Sequence, residues 1–145
     1  MISKIHSCFL IVIVVMAASL SRAQDVLVVA NPGVQIKEIT SAELRDIFTG
    51  VRSTFRDHSR AVPVLLKGGP VHEVFLRNHV SETPDSFRAL WRKAAFTGQG
   101  IPPREFSSEA ALLDYVAETP GAIGYVSRLD EKSTVRIIPV QKKAH

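Results

Sequence analysis

Ala61-Val62-Pro63-Val64-Leu65-Leu66-Lys67-Gly68-Gly69-Pro70-Val71-His72 decides the fold class. The first six residues are apolar and partly β-branched, the composition of a strand, with Pro63 pointing to an irregular or edge beginning. Gly68 and Gly69 then let the backbone turn tightly. Pro70 suits the first position of a helix, because its fixed φ is already helical and the N–H it lacks has no partner there. Val71, Val74 and Phe75 recur at the spacing of a buried helical face. A strand that passes directly into a helix is the unit of a layered α/β domain.

The flanking chain repeats this alternation. Upstream, Asp25 to Ala30 is a short β-branched run closed by the turn residues Asn31-Pro32-Gly33, as expected of a strand covered on both faces. Thr40 and Glu43 have the spacing of a capping box, Ile39 and Leu44 that of a hydrophobic staple. Leu44, Ile47 and Phe48 then form an apolar face that Gly50 ends. Val51 to Arg60 reads as an exposed polar loop. Downstream, Thr83-Pro84-Asp85 opens a helix carrying Phe87, Leu90, Trp91 and Ala94. Thr97 to Gly100 and Pro102-Pro103 break the chain. Ser107 or Ser108 caps a further helix with Leu112, Tyr115 and Val116 inward, and Thr119-Pro120-Gly121 leads into the apolar Ala122 to Val126. Val135 to Val140 is a last strand, and Gln141 to His145 is expected to be a loose tail. The pattern predicts a single compact α/β domain, with a mixed or parallel sheet and helices on both faces.

The chain has 145 residues and a formal charge of +4. Its beginning reads as an export signal. Lys4 precedes an apolar run from Cys8 to Leu20, and Ser21-Arg22-Ala23 places small residues where a signal peptidase cuts. The run is shorter than the roughly 20 residues that span a bilayer, so no membrane span is expected after cleavage. A signal over residues 1–23 leaves residues 24–145 as the mature domain. Its removal takes the sole cysteine, Cys8, and lowers the charge to +2. Such a chain has no disulfide framework, thiolate nucleophile or cysteine-ligated metal, and too little net charge to argue for a nucleic-acid partner.

Chemistry concentrates at the turn first quoted. The first turn of a helix presents unpaired N–H groups and the positive end of the helix dipole, glycines let an anion approach closely, and Lys67 adds a full charge. His72, in that first turn, can donate a further hydrogen bond. Lys67, Gly68, Gly69 and His72 are therefore the candidate ligand-binding residues. The same residues also suit a plain strand-to-helix connection, and the turn matches neither the phosphate-loop nor the dinucleotide fingerprint. Trp91 and Phe87 read as core, and Arg52, Arg56 and Arg60, with Asp57 among them, as a solvated loop. Asp57-His58-Ser59 holds triad residue types, but neighbours in one loop do not converge as a triad does. His58, His72 and His79 lack metal-ligand spacing. No catalytic residue, metal site or cofactor is expected.

Three segments carry a family likeness. Thr40 to Gly50 is similar to the "L…L…IF.G" segment of phosphate-binding periplasmic proteins of the type II solute-binding superfamily. Val62-Pro63-Val64, a basic residue, glycines and a helix ending near Phe75 continue the same order. Thr119-Pro120-Gly121-Ala122-Ile123-Gly124-Tyr125-Val126 resembles that family's most recognisable sequence nearly letter for letter. The resemblance implies one lobe of a two-lobed fold that closes over phosphate and delivers it to an ABC-type membrane transporter. It also implies an arginine and Ser-Gly-Thr at the binding loop. Here Lys67 stands near the arginine's place and Gly69-Pro70-Val71 stands for Ser-Gly-Thr, so the hydroxyl donors are missing.

These readings together lead to an exported, periplasmic, non-enzymatic solute-binding-like protein, with phosphate or a related oxyanion as ligand. A lone lobe leaves one side of the ligand wet, so weak affinity or a homodimer completing the cleft is expected. The alternative is a periplasmic protein-interaction or regulatory module that kept the lobe but lost transport, with an envelope protein as partner.

Overall fold

The computed structural model describes residues 26–142. The expected signal segment, its cleavage position and the end of the tail, residues 143–145, lie outside the described residues.

A five-stranded mixed sheet forms the centre. Its strands are β1 (Leu27–Ala30), β3 (Val62–Leu66), β4 (Arg104–Phe106), β5 (Ala122–Val126) and β6 (Arg136–Ile137), in the order β4-β3-β5-β1-β6. β3 runs parallel to both β4 and β5, while β1 is antiparallel to β5 and β6. β2 (Ile39–Thr40) and β7 (Val140–Gln141) make a separate two-stranded parallel ladder. The expected last strand is thus two strands in two sheets. Ile138 N–H donates to Val28 O of β1 and Pro139 O accepts from Ile39 N–H of β2, so the chain changes partner between them. Gln141, expected in a loose tail, is paired with Thr40.

Helices cover both faces, because successive β5 residues point oppositely. On one face Leu112 of α4 (Glu109–Glu118) lies over Gly124, where an added Cβ would meet Leu112 Cδ2 at 3.0 Å and Val64 Cγ2 at 2.9 Å. On the other, Tyr125 stacks on Phe75 with ring centroids 3.8 Å apart. Phe75 ends α2 (Pro70–Phe75), which runs on as a π-helical segment over Leu76–Val80, and its ring meets Phe48 of α1 (Ser41–Phe48) edge-on at 4.8 Å. The core therefore has two layers, with Val28, Val29, Ala30, Ile123 and Val126 of the sheet buried within it.

Local signals in the sequence set the boundaries. The Thr40–Glu43 capping box forms in full: Glu43 N–H donates to Thr40 Oγ1 at 3.1 Å, and Thr40 N–H to Glu43 Oε2 at 2.9 Å. Thr83 caps α3 (Pro84–Phe96) in the same way with Ser86. Asn31 does more than end β1. Its amide donates to Val116 O at 2.9 Å and Ala117 O at 3.1 Å, satisfying carbonyls near the end of α4.

The Val51–Arg60 loop is more ordered than its polarity suggests. Phe55 is buried, and Thr54 bridges Arg60 across the loop. Arg56 forks onto Glu43, with Nε to Oε1 at 3.1 Å and Nη2 to Oε2 at 2.8 Å, so it is an ion-pair partner of the α1 cap. Asp57 Oδ1 accepts the Ser59 N–H and hydroxyl at 3.0 and 2.6 Å, which makes Asp57-His58-Ser59 a closed turn.

Candidate functional site

At the C-terminal end of β3 the chain leaves the sheet through Lys67, Gly68 and Gly69 and enters α2. Lys67 N–H still pairs with Phe106 O of β4 at 2.9 Å, so its backbone belongs to the sheet edge while its side chain is exposed. Gly69 has φ +94°, a backbone that side-chain-bearing residues rarely adopt, and its carbonyl accepts the Glu73 N–H at 3.1 Å to open the helix. Nothing lies within 4 Å of a Cβ built at Gly68 or Gly69, so the outer side of the turn is open. With Pro70 lacking an N–H, the amides of Val71 and His72 are those the first turn leaves without intrahelical acceptors.

His72 points inward and is 8% exposed, on the face where the sequence spacing places Val71 and Val74; both of those are half-buried. The reason is Tyr125. Its hydroxyl accepts the Leu66 N–H at 3.0 Å and lies 2.5 Å from His72 Nδ1. Since the oxygen already receives the Leu66 proton, its own proton is satisfied only if it goes to Nδ1. His72 is then the neutral tautomer carrying its hydrogen on Nε2. Burial, the dominant cause, lowers the His72 pKa below its ordinary value and raises that of Tyr125, which favours the uncharged form of each. No partner for Nε2 is found among the described residues.

Lys67 and His72 border one cavity of about 220 Å³ between the β3–β4 edge and α3. Gly68 and Gly69 are outside its lining. The apolar walls come from Leu65, Phe87, Trp91 and three prolines, Pro84, Pro102 and Pro103. Trp91 is anchored by its indole N–H, which donates to Phe48 O at 3.1 Å. Phe87 and Trp91 are buried as expected, yet both also line the cavity. Arg88, Arg92 and Glu105 complete the lining, giving three cations against one carboxylate around a neutral histidine. Among the described residues neither Lys67 nor Arg92 forms an ion pair, and Arg88 pairs with exposed Asp85 at 3.3 Å. The site therefore favours negative charge. No cluster of metal-ligating residues occurs among the described residues, and no described helix is long and apolar enough to cross a membrane.

Tyr125, Arg88, Arg92 and Glu105 were not singled out by sequence reasoning. Two signals were present. A tyrosine inside a buried apolar strand must find a partner for its hydroxyl. Arg88 and Arg92 stand four apart, hence on one helical face, each next to the aromatic that turns inward.

No protein-family model matches the sequence, and no curated protein matches it. Solved structures do match in fold. One, described as a phosphate ABC transporter substrate-binding protein with bound phosphate, from Clostridium perfringens, superposes with a TM-score of 0.61 at 16% identity over 79% of this chain and 44% of its own. An ABC-type phosphate transport receptor from Vibrio cholerae gives 0.60 at 14% identity over 79% and 45%. PstS from Borrelia burgdorferi gives 0.58 at 15% over 79% and 46%. The chain spans less than half the length of each. Its fold is that of a phosphate-binding-protein-like lobe, a single compact mixed α/β domain with a helix-flanked sheet.

Proposed function

We propose that the chain is an exported, periplasmic, non-enzymatic binding protein that holds phosphate or a related oxyanion at Lys67 and His72, beside the turn that Gly68 and Gly69 form outside the cavity. The observation that carries this reading is that Lys67 and His72 border one cation-rich cavity where a parallel strand turns into a helix. The donors available are the Lys67 ammonium, the first-turn amides and His72 Nε2–H. The fold neighbours, which are substrate-binding proteins, support a solute-binding role and an ABC-transporter partner. Isothermal titration with phosphate and sulfate tests it. Binding of either, weakened about tenfold by Lys67→Ala, is expected. No heat up to millimolar concentration would remove the oxyanion role.

A second reading, a protein-interaction module, draws on the side chains of Phe96 and Ile101, which are 92% and 90% exposed. Pull-down from envelope extract separates the two roles. Partner capture that survives Lys67→Ala with His72→Ala and is lost in Phe96→Ser favours the module.

A further inference from the structure

We propose that the cavity between α3 and the β3–β4 edge takes a small organic anion that carries one planar apolar ring. The inference rests on the reading that this cavity is the ligand site and adds the class of ligand.

Size is the first argument. A water occupies about 30 Å³ of liquid, and a tetrahedral oxyanion displaces roughly two or three waters. The cavity, at about 220 Å³, is several times larger. An inorganic anion at the Lys67 end leaves most of that volume to water beside Leu65, Phe87, Trp91 and the prolines, whose surfaces offer that water no hydrogen bonds.

The distribution of chemistry is the second. The walls are Phe87, Trp91 and the prolines 84, 102 and 103, all with fixed shapes. Phe87 and Trp91 are 4% and 8% exposed, and the indole is locked through its bond to Phe48 O. A rigid aromatic and proline-lined slot suits a flat ring, which loses little freedom on entry. The polar side chains of the lining are, with one exception, exposed: Lys67, Arg88, Arg92 and Glu105. His72 is the buried exception. Its Nδ1 is taken by Tyr125, which leaves Nε2–H as a donor with no partner among the described residues. A phosphate or carboxylate headgroup meets the cations while the ring lies against the apolar wall that Phe87 and Trp91 help to form.

The chain has a single tryptophan, which lines this cavity and the adjoining one bordered by Ile47, Gly50 and Arg60, so its fluorescence reports entry at either and Arg92, which lines only the first, separates them. The purified protein is titrated with phenyl phosphate, benzoate, inorganic phosphate and neutral benzyl alcohol, by fluorescence and by calorimetry. Expected is saturable quenching by phenyl phosphate or benzoate, with affinity at least about tenfold above that for inorganic phosphate and no saturation by benzyl alcohol. Of these two anions, the tighter binder identifies the headgroup. Arg92→Ala, on an exposed position whose loss leaves the core intact, should weaken the aryl anion about tenfold. Inorganic phosphate binding as tightly as phenyl phosphate overturns the ring and leaves the oxyanion reading standing. Saturation by benzyl alcohol, or an Arg92→Ala variant with unchanged affinity, overturns the anionic headgroup at this cavity. No binding of any anion up to about 10 mM overturns both readings.

Discussion

Replacing Tyr125 by Phe isolates the hydroxyl that joins the sheet to the candidate site. The ring is retained, so its stacking on Phe75 at 3.8 Å and its contact with Phe48 survive. What disappears is one oxygen with two partners, the Leu66 N–H at 3.0 Å and His72 Nδ1 at 2.5 Å. Both partners are buried, and an unpaired buried polar group costs about 1–3 kcal/mol. The Leu66 amide ends a strand between two neighbours and has nowhere to turn. His72 is fixed by helix α2 and recovers little. The expected loss is therefore about 2–4 kcal/mol, a large part of the ~5–15 kcal/mol that holds a domain. With a urea m-value of about 1–3 kcal/mol/M, the midpoint should fall by roughly 1–2 M at unchanged m. Equilibrium urea unfolding followed by Trp91 fluorescence reads this. Nitrogen NMR of the His72 ring reads the cause: Nε2 should carry the proton in the parent protein. A loss below about 0.5 kcal/mol, or a parent His72 with its proton on Nδ1, would refute the hydrogen-bond assignment.

The other consequences concern backbone and pH. At Gly121, φ is +79° and an added Cβ would sit 2.3 Å from Arg60 O, so Gly121→Ala should cost about 2–4 kcal/mol and lower Tm by roughly 10 °C, measured by calorimetry. The Arg56 guanidinium, with the Thr40 amide and hydroxyl, holds the Glu43 carboxyl down from an ordinary 4.5 to about 2. Its contribution is complete above pH 4.5 and disappears as the pH falls toward 2; Glu43→Gln should thus cost about 1–2 kcal/mol at neutral pH and converge with the parent in strong acid. Burial lowers the His72 pKa, so the unfolded chain takes up a proton near the ordinary 6.5 that the folded chain refuses. Stability from this group is present above pH 6.5 and declines below it; the decline between about pH 7.5 and 5.5 should be smaller in His72→Gln, and an equal decline would contradict the neutral buried ring.

Several features were legible because local chemistry alone produces them. The Thr40–Glu43 box, Pro70 and Pro84 at helix starts and the strands at 27–30, 62–66 and 122–126 all follow from side-chain shape and nearby backbone needs. Other features were not legible, for matching physical reasons. Arg104–Phe106 is a three-residue strand with two exposed residues, and only the free edge of β3 makes it one. Val135 to Val140 is one apolar run, yet the run meets β1 at one end and β2 at the other, so it divides. In the Val51–Arg60 loop, Arg56 reads as solvated because its partner Glu43 is thirteen positions away.

The candidate site shows the same division. By itself the sequence determined that a basic residue and two glycines precede a helix, since Gly69 needs a positive φ and Pro70 needs a first turn. It placed His72 in that turn. Only the tertiary structure decided which way the imidazole faces, because its orientation depends on the hydroxyl of Tyr125, 53 residues away. The cavity, too, belongs to the fold: its lining comes from β3, α2, α3, β4 and the proline pair before β4, segments that periodicity can place on faces but not against one another.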